Sequence, residues 1–80
     1  MSINPIETTV LSFLARARPN EFTNPPENWK SQEVGDLGLD SLDLTTLSLD
    51  IEDSLNVLVE VHEISGAPTL GNLIELIESR

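Results

Sequence analysis

Apolar residues recur every three or four positions over three stretches of this chain, and each stretch opens on a residue suited to begin a helix. In the first, Ile6, Val10, Phe13, Leu14 and Ala17 stand at i, i+4, i+7, i+8 and i+11, one stripe at 3.6 residues per turn. Asn4 as cap, Pro5 at the first helical position and Glu7 at the third predict the start. Arg16 and Arg18 suit the negative pole of the helix dipole, and Pro19 blocks continuation, so the expected helix covers 5–17. In the last stretch Thr69 is the expected cap, Leu70, Leu73, Ile74 and Ile77 form the stripe, and Glu75 and Glu78 face water. Arg80 suits the end of this helix, expected over 69–79.

The middle stretch carries the most information. In Asp36-Leu37-Gly38-Leu39-Asp40-Ser41-Leu42-Asp43, Gly38 permits a sharp turn and Asp40 is a good cap, which puts the Ser41 hydroxyl at the mouth of a helix expected over 41–55. Leu44, Leu47, Ile51 and Leu55, with Leu58 one turn further, fall on one side and are expected in the core. Leu42, Thr46, Leu49 and Asp53 line the other, flanked by Thr45 and Glu52. Two large apolar residues thus point away from the core, Leu42 covered either by the preceding loop or by a partner.

The connections are less regular. Residues 19–30 read as a loop punctuated by Pro19, Asn20, Asn24, Pro25, Pro26 and Asn28. Irregular chain running on to Asp40 would be long for a compact domain. Phe22 and Trp29 answer this by packing the loop on the core, the rival reading being a Trp29 exposed to a partner. Ser31-Gln32-Glu33-Val34 is expected to form a single helical turn that seats Val34 and Leu37. Further on, Val57, Val59 and Val61 alternate with Leu58, Glu60 and His62, a strand-like period with no partner strand in the sequence.

Composition narrows the class. Eighty residues make one small domain, expected to span 1–80, and a core of Leu, Ile and Val between helices is the economical way to bury surface at that size. The net charge is −10, and from Ser31 to Ser79 eleven carboxylates meet no Lys or Arg. Such a chain repels nucleic acid and steers towards basic patches; it also fits a merely solvated acidic surface. There is no cysteine, so disulfides and thiolate metal sites are excluded. No apolar run is long enough to span a membrane and the N-terminal residues lack the basic and apolar regions of a signal peptide, so membrane insertion is not expected and the cytoplasm is the expected default. A single histidine, His62, argues against a Ser-His-Asp triad and against a metal site, and the carboxylates of 36–43 lack calcium-loop spacing. The chain is therefore not expected to be an enzyme.

The run Asp-Leu-Gly-Leu-Asp-Ser-Leu-Asp, followed by an acidic amphipathic helix and the Pro68-Thr69-Leu70 entry to a last helix, resembles the phosphopantetheine-attachment region of acyl carrier proteins. The resemblance is good from about Glu33 to Leu55, fair on to Ile77, and only helical in character over the first thirty residues. It implies an all-α fold, a small four-helix bundle of three longer helices and one short one, the short helix lying near 60–65 and ended by Gly66. This chain lacks the proline that commonly precedes that helix. Ser41 would carry 4'-phosphopantetheine, with Asp40 and Leu42 beside it.

The resemblance also implies the partners. A phosphopantetheinyl transferase would load the arm, and acyl-transferring, condensing or ligase enzymes with basic patches would use it. Asp43, Leu49, Asp50, Glu52 and Asp53 are the expected recognition residues. Thr45 and Thr46 depart from the family, which often has apolar or acidic residues there. The function implied is an acyl carrier of fatty-acid, polyketide or related biosynthesis. Alternatives are an aminoacyl or peptidyl carrier and an unmodified acidic helical adaptor for a basic partner. Met1 and the stop after the last helix lead to the expectation of a free-standing protein, taken as a monomer.

Overall fold

The computed structural model describes residues 4–80. Met1, on which part of the expectation of a free-standing protein rests, lies outside the described residues. The helices are α1 (Pro5–Ala17), α2 (Pro19–Phe22), α3 (Ser41–Leu55), α4 (Val61–Gly66) and α5 (Leu70–Glu78), with 3-10 turns at Trp29–Ser31 and Val34–Leu37. The fold is all-α, with three longer helices as expected.

Local signals account for the helix ends. The Asn4 side chain accepts hydrogen bonds from the amides of Ile6 and Glu7, at 2.9 and 3.3 Å. Thr69 Oγ1 accepts from the Asn72 amide at 3.2 Å, so Thr69 is the cap of α5, not its first residue. α3 stops because Asn56 turns left-handed, with φ 56°, a conformation that Asn tolerates better than most residues.

α1 packs along α3, α4 lies against α3, and α5 closes against α1 and the Trp29–Ser31 turn. Between them lie Val10, Phe13, Leu14, Leu44, Leu47, Ile51, Ile64, Leu70, Leu73, Ile74 and Ile77, all buried. Full burial of a Leu or Ile side chain contributes about 1.5–3 kcal/mol. No polar or charged residue is buried among the described residues, so helix packing here is an apolar problem. No helix among them is long and apolar enough to cross a membrane.

The segment expected as a loop contains more structure than its punctuation suggested. Pro19 ends α1 and at the same time opens α2, since its fixed φ suits a first helical position. Phe22 and Trp29 are buried, which rules out the exposed reading of Trp29. The helical turn expected at Ser31–Val34 does not form. Gln32 and Glu33 are extended, because the Leu70 amide donates to Gln32 O at 3.0 Å and the Val34 amide to Pro68 O at 3.1 Å. This one antiparallel bridge, Glu33 to Thr69, fastens the long connection to the entry of α5. Turns form on either side of it, and the second seats Val34 and Leu37 in the core as expected. Gly71 lets the two segments approach: a Cβ there would stand 3.3 Å from Lys30 O.

Leu58 corrects the core assignment. It is 59% exposed, because the chain leaves helical geometry at Asn56 and the 3.6-residue stripe ends with it. Beyond that point the chain takes no regular structure up to α4, and Val59 is fully buried while Leu58 and Glu60 are exposed. The period of two seen in the sequence does appear in the burial of 57–60, but no strand forms there. Ser48 Oγ donates to Val59 O at 2.6 Å and ties that chain to α3. α4 then begins at Val61, one residue later than expected, and ends with Gly66 inside the helix. In place of a proline, its start uses Glu63, whose Oε1 accepts from the Glu60 amide at 3.1 Å.

Candidate functional site

The 3-10 turn at Val34–Leu37 ends on Gly38 in the left-handed region, φ 67° and ψ 28°, where a side chain would be strained. Leu39 is half-buried beyond it, and Asp40 is extended and starts α3. Asp40 Oδ1 accepts from the Asp43 amide at 2.9 Å, while Asp43 Oδ2 accepts from the Asp40 amide at 3.3 Å. This reciprocal pair satisfies two otherwise free donors and fixes the angle at which the chain enters the helix.

Ser41 follows as the first helical residue, exposed, with its hydroxyl in no hydrogen bond among the described residues. Its carbonyl accepts from Thr45 Oγ1 at 2.9 Å, and Leu42 O accepts from Thr46 Oγ1 at 3.0 Å. Both threonine hydroxyls are thereby turned back onto the helix. Leu42 is 73% exposed and Leu49 56%, so the preceding loop does not cover Leu42. The row of Leu42, Thr46, Leu49 and Asp53 does face solvent.

The acidic residues named from sequence fall into two groups. Glu52 and Asp53 are exposed and unpaired among the described residues. Asp43 is committed to the reciprocal cap, and Asp50 pairs with Arg16 of α1 at 2.5 Å, so neither is a free charge.

Two arginines read from sequence only as helix-end charges have more specific positions. Arg18 reaches the turn that leads into α3, its Nε donating to Leu37 O at 2.8 Å and its Nη2 to Gly38 O at 2.7 Å. Arg80 donates to Leu58 O at 3.1 Å and forms a two-pronged pair with Glu63. That pair holds the Glu63 carboxyl below its ordinary value of 4.5, first through the Arg80 hydrogen bond and then through the Glu60 amide, and it raises Arg80. These contacts link residues 17 to 22 positions apart, which no helical period reports.

His62 is exposed, 3.5 Å from Glu60, and no hydrogen bond joins it to Ser41. Ligand atoms of Glu60, His62 and Glu63 lie within 4.8 Å of one another, but the Glu63 carboxylate is taken by Arg80.

Fold and site together define a small helical domain that holds one serine hydroxyl at a helix mouth beside an exposed row of mixed apolar and acidic residues. The chain belongs to the phosphopantetheine attachment site family, which residues 24–77 match. Members carry 4'-phosphopantetheine covalently on a serine, and such carrier domains are not themselves catalytic. The chain is also similar to an acyl carrier protein of Saccharopolyspora erythraea, 44% identical over 41 residues. That match covers 51% of this chain and 43% of the relative, so it spans less than half of the relative's length. No solved structure matches the chain.

Proposed function

We propose that Ser41 Oγ is the attachment point of the phosphopantetheine arm and that the chain is an acyl carrier serving fatty-acid, polyketide or related biosynthesis. One observation carries the assignment. Asp40, not Ser41, caps α3, which leaves the Ser41 hydroxyl exposed and without a structural task.

The other serines of the matched region fit less well. Ser48 Oγ is tied to Val59 O and Ser65 Oγ to His62 O, at 2.6 and 3.2 Å. Ser54 lies in the last turn of α3, where the dipole opposes a phosphate, and Ser31 lies in a three-residue 3-10 turn. At Ser41 the Ser41 and Leu42 amides open α3 with no acceptor among the described residues, and an exposed oxygen there suits a phosphodiester.

When attached, the arm supplies the thiol that this cysteine-free chain lacks, to hold acyl groups as thioesters. The residues of the chain do the rest. Asp40 and Asp43 fix the backbone that carries the anchor oxygen, and no side chain hydrogen-bonds the Ser41 hydroxyl among the described residues, so its activation falls to the transferase. Leu42 and Leu49 offer apolar contact, and Glu52 and Asp53 offer charge to basic patches on the loading and acyl-using enzymes. Charges at the edge of an interface mainly set encounter rate and selectivity, which suits a carrier that visits several partners. Similarity to an acyl carrier protein favours acyl cargo over aminoacyl or peptidyl cargo.

Intact mass tests the assignment. Incubation with coenzyme A, magnesium and a broad-specificity phosphopantetheinyl transferase should add about 340 Da to the native chain and nothing to Ser41→Ala. A native chain that stays at its bare mass points to the unmodified adaptor, and a modified Ser41→Ala moves the site elsewhere.

A further inference from the structure

The chain has four Lys and Arg residues. Arg16 pairs with Asp50, Lys30 with Glu7 and Arg80 with Glu63. Arg18 alone has no carboxylate partner among the described residues, although the chain holds fourteen carboxylates. Its guanidinium donates instead to three carbonyls: Ala17 O at 2.7 Å, Leu37 O at 2.8 Å and Gly38 O at 2.7 Å.

The last two belong to the turn that delivers Asp40 and Ser41 to α3. Its Gly38 is left-handed, and a Cβ built there would stand 3.4 Å from Arg18 Nη2, so the guanidinium lies directly against the turn. A planar fork with donors at fixed angles can hold two successive carbonyls at once, whereas an ammonium on a flexible stem holds a single point. Glycine is the residue with most conformational freedom to lose, so a turn built on it gains most from an external hold.

We infer that Arg18 is a positioning residue for loading of the arm: by clasping Leu37 O and Gly38 O from the end of α1, it keeps the mouth of α3 in the shape that the transferase recognises. This rests on Ser41 as attachment point. Without the clasp the turn samples other conformations, and the transferase must order it on binding, which weakens binding more than it slows the chemical step.

Two measurements test this, one of them independent of the arm. In the unmodified protein, hydrogen exchange at the Asp40, Asp43 and Leu44 amides, all bonded within the start of α3, should quicken about tenfold in Arg18→Gln. Exchange in the middle of α1 should stay native, and Lys30→Gln, which removes a cation paired elsewhere, should leave all these amides alone. In the loading reaction, kcat/KM of Arg18→Gln should fall about tenfold, carried by KM, with Arg18→Lys recovering only part of both effects.

Native exchange and native KM in Arg18→Gln overturn the inference, and so does complete recovery by lysine, which would reduce the clasp to simple charge. Should Arg18→Gln not fold, Arg18→Lys decides alone: exchange and KM between native and tenfold changed support the fork, native values reject it. A native chain that takes up no arm removes the Ser41 assignment, while the exchange result still decides whether Arg18 holds the turn.

Discussion

Had Ser41 been the cap of α3, its hydroxyl would be tied to a backbone amide of the first turn; Asp40 Oδ1 holds the Asp43 amide instead, at 2.9 Å. A carboxylate is also the better occupant of that position, since it combines a hydrogen bond with charge facing the positive pole of the helix. Asp40→Ala should therefore destabilise the domain by about 1 kcal/mol in urea unfolding. On the proposed attachment at Ser41, the same variant should load more slowly, because the backbone at the mouth of α3 is no longer held at a fixed angle. Both Asp40 and Ser41 were legible from the order Gly38-Leu39-Asp40-Ser41, because capping is decided within one turn. Arg18 was not, because its acceptors lie 19 and 20 residues away.

α3 presents two unlike faces, and substitutions should divide accordingly. Leu47, 1% exposed, sits in the core, and Leu47→Ala should cost about 2–5 kcal/mol in chemical unfolding. Leu49, two positions on and 56% exposed, should change stability by less than about 0.5 kcal/mol as alanine while raising KM for the transferase. Equal stability losses at the two positions would contradict the orientation of the helix.

α4 raises a different question, that of pH. Its first turn is fastened to the end of the chain by the Arg80–Glu63 pair, and the carboxyl of Glu63 lies below 4.5, chiefly through that hydrogen bond. A depressed carboxylate contributes stability that is fully present above its unfolded value and is lost as pH falls through the lower folded one. Glu63→Gln should accordingly melt below the native chain at neutral pH, with the gap closing on acidification below about 4.5. A gap that is constant down to pH 3 would show that the pair contributes nothing.

Taken together, the molecule combines a core free of buried polar residues with a net charge of −10 carried outside it. The charge plays no part in the core, and on the proposed function its effect lies in encounters with partners. Loading by a transferase with a basic docking face should slow about tenfold or more from low salt to about 0.5 M, through association rather than turnover. Salt-independent loading would leave Leu42 and Leu49 as the sole basis of recognition.

The boundaries of α1, α3 and α5 were readable along the chain to within a residue, as were the two faces of α3 and the place of Ser41. Caps, prolines and apolar stripes act over one or two turns, and these helices are long enough to express them. The path of residues 19–40 was not readable. The burial of Phe22 and Trp29 was expected, but the turns of this segment are set by the bridge to Thr69, which has no local signal. The exchange of Leu58 for Val59 in the core belongs to the same class. A periodic stripe reports which residues share a side, but only the left-handed step at Asn56 and the anchor from Ser48 decide where that side ends. Arg16, Arg18 and Arg80 show the limit most plainly. Their charge suited two helix ends, yet each side chain reaches an acceptor at least 17 residues away, a match that exists only after the helices have packed.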